Sequence, residues 1–292
     1  MRKKLLVILL FLPSIIFAKL TVGVTMLPYY SYVTNIVGDK MNVVSIVPEN
    51  INAHNYDPSY EDLTRLKDVD ILVVNGIGHD EYAYKMLDAL NDPKIKVINA
   101  NENVGLMKAS GTSIDQVNMH TFISISRSIE QVNQIARKLG SIDKKNRIFY
   151  LKNASQYNKK LRLMLIEAKK KLKNVDLYNI KISTTHAGYD YLLADFGLTV
   201  SVVIEPSVIH SPSAVDLKNA IELIKKEKIN ILFDEATSNH NNANLIKNET
   251  GIYVATLYHL TSGKYTKDNF EKFIKKNLDS VVDALLDING RK

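Results

Sequence analysis

The 292-residue chain has no cysteine. Disulfides, thiolate metal ligands and cysteine nucleophiles are therefore excluded, as is the lipidated cysteine that follows the signal peptide of bacterial lipoproteins. Beyond the N-terminal region no apolar run reaches the about 20 residues that a spanning helix needs. No two histidines stand four residues apart in a metalloprotease-type pair, so there is no local zinc motif. Low-complexity tracts and short internal repeats are missing. The formal charge is +7, but the lysines are scattered or form short runs such as Lys169-Lys170-Lys171 and Lys275-Lys276. These read as solvated helix faces, not as the clustered footprint of a nucleic-acid partner.

What is present describes a globular protein. Hydrophobic residues make up 46% of the chain and charged residues 24%, which argues against disorder. The length suits one large or two medium domains. Arg2-Lys3-Lys4 followed by the apolar run Leu5 to Phe17 reads as a signal peptide, residues 1–18, with Ala18 at the cleavage point and an unusually large Ile16 before it. The mature chain is expected to be soluble, exported and free in a periplasm, and to carry only a mild basic excess.

Strand and helix signals alternate along the mature chain. Strands are expected at 20–25, 42–47, 71–74 and 96–99, with helices from Pro28 to Val37, from Ser59 onward, and up to Leu90. The fully apolar Ile71 to Val74 suits a sheet covered on both faces. Residues 102–118 read as a polar loop and 123–139 as a helix. From Asp143 to Lys173 there is neither Pro nor Gly, and Ile148, Leu151, Leu161, Leu165, Ala168 and Leu172 recur at a helical period. A helix of ~30 residues would be ~45 Å long, a rigid strut between two halves. The pattern then restarts, with strands at 181–185, 198–204, 229–233 and 252–257 and a closing helix from about Lys267 to Leu286. The expected fold is α/β: two parallel-sheet lobes, 19–142 and 175–292, joined by a long rigid helix at 143–174, with a cleft between the lobes.

Seven histidines are present. His54, His186 and His259 each fall just past an expected strand end, and His120 falls at a loop-to-helix junction. The carboxyl edge of a parallel sheet is where such folds bind ligands. If the lobes face each other, four imidazoles from four separate segments would converge there, a donor set that suits zinc and other first-row metals. His79 follows Gly76-Ile77-Gly78, which mimics a dinucleotide fingerprint, but Glu81 occupies the third glycine position; His79 reads as a helix-start residue, with a metal-neighbouring role as the alternative. His210 and His240 read as solvated loop residues.

Several segments resemble one family, the metal-binding receptors of bacterial zinc and manganese ABC importers. They are Ala53-His54-Asn55-Tyr56-Asp57-Pro58-Ser59, Asn118-Met119-His120-Thr121-Phe122, Thr185-His186-Ala187-Gly188-Tyr189 with Asp195-Phe196-Gly197-Leu198, Pro212-Ser213, Phe233-Asp234-Glu235 and Glu249-Thr250-Gly251. Taken in order, the resemblance spans about Lys19 to Leu286. It implies two α/β lobes with metal between them, a periplasmic monomer, and a membrane permease as partner. It also implies His54, His120 and His186 as metal ligands. The chain departs from the family twice. The stretch that often carries a carboxylate ligand is here Leu257-Tyr258-His259-Leu260, and the His-rich loop of many zinc receptors is missing before His120.

His259 is therefore the expected fourth ligand, with Glu235 or water as competitors. The expected cargo is a divalent transition metal, zinc first and manganese next, because nitrogen-rich ligation favours zinc. Its affinity is expected to weaken as the pH falls through the ordinary histidine range, roughly 6.5. An enzyme is not expected. Two competing classes are a zinc hydrolase with Glu235 as base and an adhesin-type surface protein.

Overall fold

The computed structural model describes residues 19–111, 116–205 and 212–290. The signal peptide read at 1–18 and the loop residue His210 lie outside the described residues. In the first half, β1 (Thr21–Val24), α1 (Leu27–Val37), β2 (Asn42–Ser45), α2 (Tyr60–Lys67), β3 (Ile71–Val74), α3 (Glu81–Leu90) and β4 (Lys96–Asn99) alternate. Two long helices follow, α4 (Ile125–Ile142) and α5 (Arg147–Lys170). The second half is β5 (Ile182–His186), α6 (Asp190–Asp195), β6 (Val200–Glu205), α7 (Ala214–Glu227), β7 (Ile231–Glu235), α8 (Asn241–Thr250), β8 (Tyr253–Leu257) and α9 (Asn269–Gly290).

Each half builds a four-stranded sheet, ordered β2-β1-β3-β4 and β6-β5-β7-β8, and every strand pair in both is parallel. The two orders are the same, and both reverse direction beside their first strand. Local sequence explains the boundaries. Pro28 sits in the first turn of α1, where its missing N–H costs nothing. Ser59 and Ser213 start α2 and α7 as capping boxes with Asp62 and Asp216.

The two faces of β3 meet different cores. Ile71 and Val73 point into the large central cluster, whereas Leu72 and Val74 point into an outer cluster with Leu66, Tyr82 and Met86. β7 repeats this division, with Ile231 and Phe233 inward and Leu232 in the outer cluster of the second lobe. The period of two that a strand imposes on its side chains thus gives each lobe an outer core and both lobes one shared core. Helices α1, α4, α5 and α9 fill the shared layer, with α5 packed on the other three.

The strut differs from its sequence reading. Residues 144–146 form a turn of 3₁₀-helix before α5, so α5 has 24 residues and is ~36 Å long at 1.5 Å per residue. The break lies at Asp143, whose carboxylate accepts hydrogen bonds from Asn146 (2.7 Å) and from the Tyr150 hydroxyl (2.6 Å). A carboxylate that binds nearby groups in this way competes with helix continuation. Asp143 therefore forms a corner that folds α5 back on α4.

Direct hydrogen bonds cross between the lobes. Asp195, at the end of α6, accepts from the Ser124 hydroxyl (2.9 Å) and from the backbone N–H groups of Ile125 (2.8 Å) and Ser126 (3.3 Å). A carboxylate of the second lobe thereby caps the N-terminus of α4, where a negative charge is favoured. On the opposite side, Ser31 of α1 accepts from the N–H of Phe270 and donates to the Thr266 carbonyl. Tyr157 and Lys160 of α5 both bind the Glu271 carboxylate of α9.

Replacing Asp195 with Ala leaves buried donors at the start of α4 without an acceptor, at about 1–3 kcal/mol. Urea unfolding of Asp195→Ala should show a lower midpoint with an unchanged slope. An unchanged midpoint would mean that the cap contributes nothing to the joint between the lobes.

Candidate metal centre

The carboxyl ends of both sheets open toward one another, and five of the seven histidines meet there. His54 stands in the loop between β2 and α2, His79 just after β3, and His120 before α4; His186 is the last residue of β5 and His259 follows β8. Donor nitrogens of His54, His79, His120 and His259 all lie within 4.8 Å of one another. His186 joins them through His120, their Nε2 atoms 3.1 Å apart, and the Nε2 atoms of His120 and His54 are 3.3 Å apart.

Neighbouring groups decide which nitrogen of His120 faces the others. The Asn118 amide nitrogen donates to Asp190 (2.6 Å) and to the Ala187 carbonyl (3.3 Å). Its oxygen is thereby turned toward His120, where it meets both the backbone N–H (2.9 Å) and Nδ1 (2.8 Å). An amide oxygen only accepts, so His120 Nδ1 carries the proton and Nε2 presents its lone pair to the cluster. His259 Nδ1 faces the Thr261 hydroxyl at 3.3 Å, while its Nε2 is buried without a partner. Both ring nitrogens of His79 are likewise buried and unpaired among the described residues.

Backbone features aim these rings. Asn277 grips the turn after β8 by accepting from the Tyr258 N–H (2.7 Å) and donating to the Tyr258 carbonyl (2.8 Å). The Tyr258 ring is then held against Phe273 and Lys276, away from the cluster, and His259 turns inward beside Leu260, which adopts φ +63°. Gly188 leaves room for the ring of His186: a Cβ there would stand 2.7 Å from His186 Cδ2 and 3.3 Å from His120 Cδ2.

The loop after β3 is anchored by Asp80, whose carboxylate accepts from the Thr25 hydroxyl (2.7 Å) and the Asn75 N–H (2.6 Å). Asn75 in turn donates to the carbonyls of Gly78 (2.6 Å) and Met119 (3.1 Å), tying this loop to the one that carries His120.

Burial favours the neutral imidazoles. His54 is lowered to about 4, by burial and then by the charge of His186. His79, His120 and His259 are held well below the usual histidine range, chiefly by burial and then by one another and their neighbours. Burial also lowers His186, against the opposing pull of Glu235, Glu205 and Asp190. At neutral pH the five rings are therefore unprotonated, with lone pairs available to an electrophile.

The four histidines singled out from sequence, His54, His120, His186 and His259, all come together. Glu235 does not join the group. Its carboxylate accepts from Thr237 at 2.6 Å, and its backbone N–H donates to Thr185. His79 departs from its sequence reading: Asp80, not His79, is the N-cap of α3, and the His79 ring lies in the cluster with only 2% exposure. The strand-end rule that singled out His54 applied equally to His79. The glycines around His79 drew attention to a nucleotide fingerprint instead. His240 is exposed, as read from sequence, and its Nδ1 is also hydrogen-bonded to the buried Asp234 carboxylate.

Comparison with known proteins places the chain. The family model described as zinc-uptake complex component A, periplasmic, matches residues 22–284. The zinc-binding lipoprotein AdcA of Streptococcus pneumoniae is 26% identical over 285 residues, covering 90% of this chain and 55% of its own; the present chain thus spans about half the length of that relative. The high-affinity zinc uptake system protein ZnuA of Bacillus subtilis is 24% identical, covering 92% of this chain and 88% of its own. Among solved structures, the substrate-binding protein FpvC of Pseudomonas aeruginosa in complex with Ni2+ superposes with a TM-score of 0.86 at 40% identity, over 92% of this chain and 98% of that one. With the family model covering nearly the whole described chain, this protein belongs to the family of periplasmic zinc-uptake components A.

Proposed function

We propose that the chain is a periplasmic receptor that captures a divalent transition metal between its lobes and delivers it to the membrane permease of an ABC importer. The observation that carries this reading is the buried meeting of imidazoles from both sheets, with donor nitrogens within 4.8 Å and several of them unpaired. Unsatisfied buried polar atoms are costly, about 1–3 kcal/mol each. A metal ion is the partner that several facing lone pairs share most readily. The names of relatives agree with this class, since AdcA is named for binding zinc and ZnuA for its uptake, and FpvC structures hold Ni2+ and Mn2+.

His54, His120, His186 and His259 are the ligands of this reading. Zinc leads as the cargo and manganese follows, because imidazole suits zinc whereas manganese prefers oxygen donors. The receptor works as a monomer, free in the periplasm. Capture is favoured over hydrolysis because, among the described residues, no carboxylate is in the donor group, and Glu235, the candidate base, is engaged by Thr237.

An imidazolium cannot ligate, so protons compete with metal only below the folded-state pKa of each ligand. Burial moves that competition down from roughly 6.5 to about 4 for His54. Zinc affinity should therefore fall less between about pH 7.5 and about pH 6 than ordinary imidazoles would allow, with the main loss on further acidification. A steep loss between the first two values would show that the imidazoles titrate in their ordinary range.

The ligand assignment is tested by zinc titration of two variants. His259→Ala should weaken zinc binding by roughly tenfold or more, since even supporting groups cost about 10–100-fold, whereas Glu235→Gln should change it much less. Parent-like binding by His259→Ala, or a larger loss in Glu235→Gln, would refute the assignment.

A further inference from the structure

We propose that His79 is a fifth metal-ligating imidazole, and that it shifts the site toward ions that accept five nitrogen donors, of the nickel and cobalt class, relative to zinc. This rests on the metal-capture reading above and goes beyond its four ligands.

Three independent features single out His79. Its ring is 2% exposed and both nitrogens are without a partner among the described residues. A histidine serving only to fill a core would be expected to satisfy at least one of them. Its backbone lies at φ +83°, a conformation that a bulky side chain rarely adopts and that persists only where surrounding structure enforces it. Here the enforcement is visible: Asp80 and Asn75 pin the loop on either side of His79. Such a backbone at a binding edge is accounted for if the side chain it aims has work there.

The third feature is the arrangement of the rings. His54, His120 and His259 form a triangle, with centroid separations of 5.2, 5.4 and 4.9 Å. His79 stands against all three, at 4.1 Å from His54, 5.0 Å from His120 and 5.1 Å from His259. His186 also stands against all three, at 5.5, 4.8 and 5.2 Å. Among the described residues the two make no ring contact with each other, which places them on different sides of the triangle. Three imidazoles around a centre with one more on either side make a five-donor arrangement.

The donor count bears on which ion is held. Zinc in closed protein sites is almost always four-coordinate and tetrahedral, so a fifth imidazole adds little to its binding. Nickel and cobalt accept more nitrogen donors, and nickel stands above cobalt in intrinsic affinity for such sites. His79 should therefore raise nickel affinity more than zinc affinity.

The experiment uses the metal-free full chain and two variants, His79→Asn and His79→Gly, whose residues tolerate the positive φ. Each protein is loaded with cobalt(II) alone and its visible absorption recorded, then titrated separately with nickel and zinc. The parent should show the weak d–d bands of a five-coordinate ion, and the variants the intense bands of a tetrahedral one. Nickel affinity should fall by roughly tenfold or more in the variants, and zinc affinity by less. Circular dichroism and thermal melting of the metal-free variants establish that they fold. Intense tetrahedral bands in the parent would overturn the proposal whether or not the variants fold. So would an unchanged cobalt spectrum and nickel-to-zinc ratio in folded variants; both results leave metal capture standing. If the parent takes up none of the three metals, the capture reading fails and this inference with it.

Discussion

Five neutral imidazoles are packed against one another with no carboxylate among the converging donors of the described residues, and the surrounding structure serves that arrangement. Protonating one of these rings would put a positive charge in a poorly solvated space beside other rings, so burial holds them unprotonated. In water, unprotonated rings would scatter their lone pairs into hydrogen bonds. Here the fold leaves several lone pairs facing a common point, an arrangement that only rigid supports can maintain.

Those supports come from two sheets of identical strand order, each of which sends loops from its carboxyl edge toward the other. A polar frame then fixes the loops. Asn118 joins His120 of the first lobe to Asp190 and Ala187 of the second, Asn75 and Asp80 hold the turn that carries His79, and Asn277 fixes the turn before His259. None of these groups needs to touch a bound ion. Each settles a ring's tautomer or direction, which is how neighbouring residues tune a metal site. The shared core of α1, α4, α5 and α9 keeps the two edges in register.

Much of this was legible in the sequence because it follows local rules. β3 and β4 fall where the apolar runs predict, and the histidines past the strand ends needed only the parallel-sheet rule to be grouped. His259 was singled out because the stretch Leu257-Tyr258-His259-Leu260 lacks the carboxylate of the family, and its ring turns inward while the Tyr258 ring turns away. What was not legible depends on contacts distant in sequence. The corner at Asp143 arises from its hydrogen bonds to Asn146 and Tyr150, which no helical period reveals. His79 was masked by its glycines, and its role becomes visible only when His54, contributed by a different loop, stacks on it. The depth of burial that lowers His54 to about 4 is likewise a tertiary property that the sequence does not carry.

The central claim is that imidazole nitrogens alone hold the captured ion. X-ray absorption at the zinc edge of the zinc-loaded full chain tests it most directly. The account predicts a single shell of nitrogen at about 2.0–2.1 Å, with strong outer-shell scattering from several imidazole rings and no carboxylate contribution. A shell dominated by carboxylate oxygen, or scattering from one or two imidazoles only, would contradict it.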